Sequence, residues 1–251
     1  MIRLFALMMV LALPAKAEEV VLGLSQDAVA ITATFDGSDI LLFGAVKRES
    51  PIDLDSDLEV IITIAGPSLP VTMRRKDRRL GIWINTDFVE VDAAPSFYAV
   101  ATTAPLQDIL GDVEDLRYKI SIPRAIRSVG APMTVADAEK FTEALIRIRS
   151  GNDLYQVREG VVDFEESTLF SAAFRLPANL TEGDYHARIY LTRNGVVVDD
   201  YEAIIPVEKV GLERWLYNLA HEQPMLYGLM SLAIAIAAGW GASAIFTALR
   251  R

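Results

Sequence analysis

The twenty-five residues from Met225 to Leu249 carry no charge and are followed at once by Arg250-Arg251. A helix rises about 1.5 Å per residue and a hydrocarbon core is about 30 Å thick, so this segment is long enough to cross a bilayer. A buried core helix is the alternative. Core helices seldom stay apolar all round over such a length, however, because one face normally meets water. Within the segment Ser231, Ala235, Gly239, Ser243 and Thr247 recur every fourth residue and draw a stripe of small side chains down one face. In lipid such a stripe lets a second helix approach closely, so either self-association or another membrane protein is the partner expected there.

The opposite end sets the orientation. Arg3, the apolar run Leu4 to Leu13, Pro14 and Ala15-Lys16-Ala17 ahead of Glu18-Glu19 follow the order of a secretory signal peptide, with cleavage expected after Ala17. The apolar run is too short to span a bilayer as a helix. Near the C-terminal span, Lys209 and Arg214 on one side balance Arg250 and Arg251 on the other, so loop charge does not decide orientation. Export does: the domain of residues 18–207 is expected in the periplasm, the span 225–249 in the inner membrane and residues 250–251 in the cytoplasm. Residues 208–224 form an amphipathic lead-in, with Leu212, Trp215, Leu216 and Leu219 at helical spacing and Pro224 at the junction.

Composition narrows the chemistry of the exported part. The chain has no cysteine, which excludes disulfides, thiolate nucleophiles and cysteine metal sites. Beyond the leader, 22 bases face 34 acids, a net charge of −12 that disfavours nucleic acid as a partner. There are two histidines, His186 and His221, and no Walker loop, G-x-G-x-x-G, G-x-S-x-G or H-E-x-x-H motif. No cofactor and no metal is implied. Asp53-x-Asp55-x-Asp57 invites a calcium reading, but Leu58 and Ile64 stand where an EF-hand loop needs glycine and glutamate, so a solvated loop is expected.

Period-two hydrophobicity dominates the domain. Val29 to Phe35 and Ile40 to Val46 flank Asp36-Gly37 as a hairpin, and Leu58 to Ile64 alternates cleanly. Leu80 to Ile84 and Phe97 to Ala101 are further strands. Tyr185 to Thr192 and Val196 to Val207 flank Asn194-Gly195 in the plainest hairpin of the chain. Leu180-x-x-Gly183-x-Tyr185 resembles the tyrosine corner of immunoglobulin-like sandwiches. The expected fold is therefore mainly β: an immunoglobulin-like sandwich interrupted near residues 104–159 by a helical insertion, plus the terminal transmembrane helix. In that insertion Pro105 to Leu110 is a short helix. Thr134 to Arg149 is a longer one, capped by Thr134, with Phe141, Leu145 and Ile148 on its apolar stripe.

Two segments are candidate contact surfaces. Arg74, Arg75, Lys76, Arg78 and Arg79 form the basic cluster of an acidic domain, with Lys76-Asp77 as the expected hairpin turn. Such a run is ordinarily a solvated turn, and its functional reading is contact with anionic headgroups or an acidic partner. Trp83 and Asn85, with Ser96 and Tyr98 in Pro95-Ser96-Phe97-Tyr98-Ala99, combine aromatics with polar handles as a ligand pocket does, although a sandwich core uses the same residues. A hydrolase would have to rest on His186, on the outward face of its strand.

These residues also carry a resemblance. Ile82-Trp83-Ile84-Asn85, Pro95-Ser96-Phe97-Tyr98-Ala99 and Phe174-Arg175-Leu176-Pro177 with Gly183-x-Tyr185, together with the secretory start and single terminal span, resemble the Alph_Pro_TM family of alphaproteobacterial envelope proteins over essentially the whole chain. The resemblance implies a noncatalytic accessory module for a membrane partner such as a small-anion permease of the sulfite exporter type. A periplasmic small-ligand binding or sensing domain is the alternative. The resemblance supplies no catalytic or ligand residue.

Overall fold

The computed structural model describes residues 18–25, 28–31, 37–48, 57–128, 137–210 and 212–249. Residues 1–17, which hold the expected signal peptide, and Asp36, Asp53, Asp55, Thr134, Val135, Arg250 and Arg251 lie outside them. Among the described residues the chain is mainly β and forms three sheets. Four strands, β1 (Glu18–Leu24), β3 (Ser38–Arg48), β10 (Leu169–Leu176) and β9 (Asp163–Glu165), lie side by side in that order. Six more form a second sheet in the order β2 (Val29–Ile31), β12 (Val196–Lys209), β11 (Gly183–Arg193), β4 (Leu58–Ala65), β7 (Tyr98–Thr102) and β8 (Tyr155–Arg158). A separate two-stranded ribbon joins β5 (Ser68–Arg79) to β6 (Ile82–Pro95).

Burial along each strand shows which faces are covered. In β10 Phe170, Ala172, Phe174 and Leu176 are buried and their neighbours are not, so the four-stranded sheet hides one face only. β4 sits between β11 and β7 and is covered on both sides: Val60, Ile62 and Ile64 point one way, Ile61 and Thr63 the other, and all are essentially inaccessible. The Ile61 face, with Val100 and Tyr190, packs against Ile109, Ile120, Ile122 and Leu145 of the helical segment. The Ile62 face is covered as completely. Hydrogen bonds tie the two sheets at their margins, from Val20 N–H to Asp199 at 3.1 Å and from the Gln156 amide to the Arg175 carbonyl at 3.1 Å. Each Val, Leu, Ile or Phe so enclosed contributes about 1.5–3 kcal/mol.

Among the described residues between β7 and β8 lie four helices: α1 (Leu106–Ile109), α2 (Asp112–Tyr118), α3 (Ile122–Ala125) and α4 (Ala138–Ser150). Only α1 and α4 stand out in the sequence, because α2 and α3 are too short to show a helical period. Of the expected apolar stripe on α4, Phe141 and Leu145 are buried, whereas Ile148 is half exposed. At the corner before β11 the Tyr185 hydroxyl donates to the Thr181 carbonyl at 2.9 Å, the bond that a tyrosine corner makes.

Three local expectations are corrected. Val29–Ile31 and Ser38–Arg48 do not form a hairpin. They lie in different sheets, β2 beside β12 and β3 between β1 and β10, because alternation identifies a strand but not its neighbour. The basic hairpin does not turn at Lys76-Asp77, which pair with Asn85 and Ile84. It turns at Leu80-Gly81, so Leu80 to Ile84 is not one strand. There both φ angles are positive, +52° and +87°, the pair of left-handed residues that a tight two-residue turn needs. Finally, α4 begins at Ala138 with Asp137 in the cap position.

The chain divides into two compact units. The second comprises residues 30–35 and 208–251 and carries α5 (Leu212–Glu222) and α6 (Pro224–Leu249). α6 is long and apolar enough to cross a membrane from Pro224 to Thr247, and over that stretch its side chains are exposed apart from the partly covered Met230. Pro224 opens it, where a missing N–H costs nothing.

Candidate functional site

The most exposed feature of the β-domain is the ribbon. Its strands run for 12 and 14 residues, about twice the ordinary length, and its outer part is covered on neither face. Cross-strand register and alternation assign the side chains. On the inner face Val89 and Val91 are fully buried, with Val71 and Met73 partly so. The same face continues outward through Arg75 and Asp87. On the outer face Thr72 pairs with Glu90, Arg74 with Phe88, Lys76 with Asn85 and Arg78 with Trp83. A register shift between Arg75 and Lys76 makes Thr86 the extra residue and keeps Asn85 and Phe88 on one side.

Arg75 fastens the middle of this ribbon. It bonds Asp87 at 2.7 and 3.0 Å, reaches Asp137 at the start of α4 at 2.8 Å, and lies over the Phe141 ring at 5.3 Å. The hydrogen bond from Arg75 holds the Asp137 carboxyl below the usual range, against the opposing effect of burial. A depressed carboxyl contributes stability that is fully present above its ordinary pKa of 3.8 and lost as the pH falls through the lower folded value. Acidification below that range is therefore expected to raise hydrogen exchange at Val71 to Arg75 and at Asp87 to Val91. Asp137→Asn should show the raised exchange already at neutral pH. An unchanged exchange pattern in that variant would remove the clamp.

The other basic residues are not so engaged. Arg79 stands 3.8 Å from Asp77, and Arg78 reaches only the Gly81 carbonyl, at 3.4 Å. A shallow open groove of about 420 Å³ runs along the outer face between Thr72, Arg74, Asn85 and Phe88. Trp83 is 67% exposed, so it is neither core nor a pocket wall.

Ser96 and Tyr98 lie elsewhere. Thirteen residues of extended chain, on the order of 40 Å, separate Trp83 from Ser96. Both Ser96 and Tyr98 are buried, and the Tyr98 hydroxyl donates to the Ile120 carbonyl at 2.9 Å. The four residues grouped from sequence as one pocket thus divide into an exposed arm and an interior anchor.

His186 meets Glu202 across the β11–β12 pair, Nδ1 to Oε1 at 2.5 Å, and Ser68 and Arg188 line the same shallow cleft. Both side chains of the pair are about half exposed, where water competes with the contact. On a strand face this is an ordinary cross-strand polar contact. Sequence reading missed it because it depends on the exact register beyond the Asn194-Gly195 turn.

The sequence reading also missed Leu80, Ile82 and Phe88 as surface residues. They are 104%, 64% and 57% exposed, and the available signal was Gly81, the glycine of the true turn.

Comparison with known proteins adds the family and little more. Among solved structures, Spo0M, a sporulation control protein from Bacillus subtilis, aligns with 84% of this chain at 11% identity and a TM-score of 0.29, a likeness too low to carry an argument. The chain spans 56% of the length of that protein. No curated protein matches it in sequence. The profile described as "Putative transmembrane protein (Alph_Pro_TM)" matches residues 19–248, and a match over nearly the whole chain, ending within an exposed apolar helix fit to cross a bilayer, makes this protein a member of that transmembrane family.

Proposed function

We propose that the protein is a noncatalytic interaction module, exported by its N-terminal leader and held at the periplasmic face of the inner membrane by α6. It works by contact with a membrane partner, for which the family resemblance suggests a small-anion permease. The observation that carries this reading is α6 itself. Over 24 residues it is apolar all round and exposed, and Ser231, Ala235, Gly239 and Ser243 give one side the small profile that helix pairing in lipid requires.

The chain's lack of cysteine makes the test clean. With a photo-crosslinking residue at Ser231 or Ala235, the full-length protein is expected to form an adduct with a second membrane polypeptide. The same probe at Met230, on the opposite side of the helix, should not. In the same membranes a cysteine at Glu90 should react with an impermeant maleimide added from the periplasmic side, whereas one at Arg251 should not. Absence of adducts from both small-face positions would sink the partner, and the reverse labelling pattern would sink the orientation.

A further inference from the structure

We propose that the β5–β6 ribbon binds the anionic surface of a lipid bilayer, with its tip entering the acyl boundary and its outer face meeting the headgroups. The inference goes beyond the proposed function by giving the arm a lipid target. It rests on that reading only for the anchoring of the chain in a membrane.

The order of residues along the arm carries the argument. Farthest out stands the Leu80-Gly81 turn, with Leu80 fully exposed, followed by Ile82 and Trp83. Arg78 is the cross-strand partner of Trp83, Lys76 lies two residues behind it, and Arg74 with Phe88 lies behind that. A bare leucine at the point, with Ile82 and the indole on one strand and arginines opposite them whose long stems can carry their charge back to the headgroups, fits the passage from hydrocarbon to the headgroup layer. A soluble turn would place asparagine or glycine at Leu80, whose φ is +52°. A leucine there is poorly suited to the backbone and poorly suited to water.

Charge points the same way. Along the outer face Arg74, Lys76 and Arg78 recur at every second position, and the one acid that lines the groove beside them, Asp87, is already paired with Arg75, in a domain whose net charge is strongly negative. Arg75 is occupied by Asp87 and Asp137, and Arg79 faces Asp77, both on the inner face. The free cations are therefore gathered on one side. Anionic headgroups are the polyanion that an anchored chain meets at high effective concentration throughout its life. A fluid surface also requires no shaped pocket, and the shallow open groove beside Arg74 and Phe88 provides none.

The test uses the full chain with Trp215→Phe and Trp240→Phe, which leaves Trp83 as its single tryptophan. It is reconstituted in phosphatidylcholine vesicles with or without phosphatidylglycerol, some carrying brominated acyl chains. In the anionic vesicles Trp83 emission is expected to shift to the blue and be quenched by bromine, and both effects should fade at high salt. Replacing Arg74, Lys76 and Arg78 by glutamine should move the inserted-to-free ratio by about a hundredfold, at roughly one kcal/mol for each base near such a surface. Co-flotation of the protein with vesicles in which Trp83 stays water-like and unquenched would overturn the proposal while leaving the anchor intact. Failure to float at all would overturn the anchor as well. Equal quenching in neutral vesicles, or a blue shift produced in detergent by polyglutamate but not by anionic lipid, would overturn it in favour of plain apolar contact or of an acidic protein.

Discussion

Tyr98→Ala should lower the stability of the β-domain by about 3–5 kcal/mol, as measured by urea unfolding of the full chain in micelles followed through its β-sheet circular dichroism. Tyr98 is 1% exposed and stands where β7 meets the helical segment. Its ring packs among Ile61, Val100, Ile120 and Tyr190, so truncation opens a cavity that no neighbouring loop can fill. The hydroxyl adds a separate contribution. It donates to the Ile120 carbonyl, so removing it takes the donor from that buried contact, while Arg188 keeps the Tyr118 carbonyl. Tyr98→Phe should therefore cost about 1–3 kcal/mol while keeping the packing. If both variants unfold at the wild-type midpoint, the helical segment is not docked on β7 as described.

Gly44→Ala should destabilise the four-stranded sheet by about 1–3 kcal/mol, and Gly44→Val by more. Gly44 lies in β3, the strand flanked by β1 and β10. A methyl group there would run into the Phe170 ring and come within 2.6 Å of the Val21 carbonyl oxygen. The ring is buried and the carbonyl belongs to the β1–β3 ladder, so neither can yield without loss of packing or of a hydrogen bond. Gly81→Ala is the useful contrast, since nothing stands within 4 Å of it and only its positive φ opposes the change. A wild-type melting profile for Gly44→Val would show that β3 does not run between those two strands.

The two substitutions concern the scaffold, and their value for function lies in what they hold in place. Tyr98 holds the helical segment on β7, and Tyr155 reaches the end of β6. The Tyr155 hydroxyl donates to the Pro95 carbonyl at 2.8 Å, and Arg149 bonds the same oxygen. These contacts fix the base of the ribbon as Arg75 fixes its middle. The arm is thus rigidly rooted and freely exposed beyond Asp87, which is how a domain presents a contact surface to something outside itself. Variants at Trp83 or Arg78 should accordingly leave stability nearly unchanged.

Composition and periodicity were enough to read the membrane span, the mainly β character, the Asn194-Gly195 hairpin and the bond made by Tyr185. Each depends on a local property: a run without charge, an alternation, a turn pair, a residue four positions from its acceptor. The partner of each strand was not readable, because alternation in Val29–Ile31 and Ser38–Arg48 is the same whichever sheet receives them. Nor was the fate of Trp83, on β6, and Ser96, in the bend that follows it, because what lies above each comes from other segments. Only tertiary packing decides that Val89 and Val91 lie under cover while the chain beyond Asp87 runs into solvent. Burial is a property of the neighbours that other segments bring, and those neighbours come from residues far away along the chain.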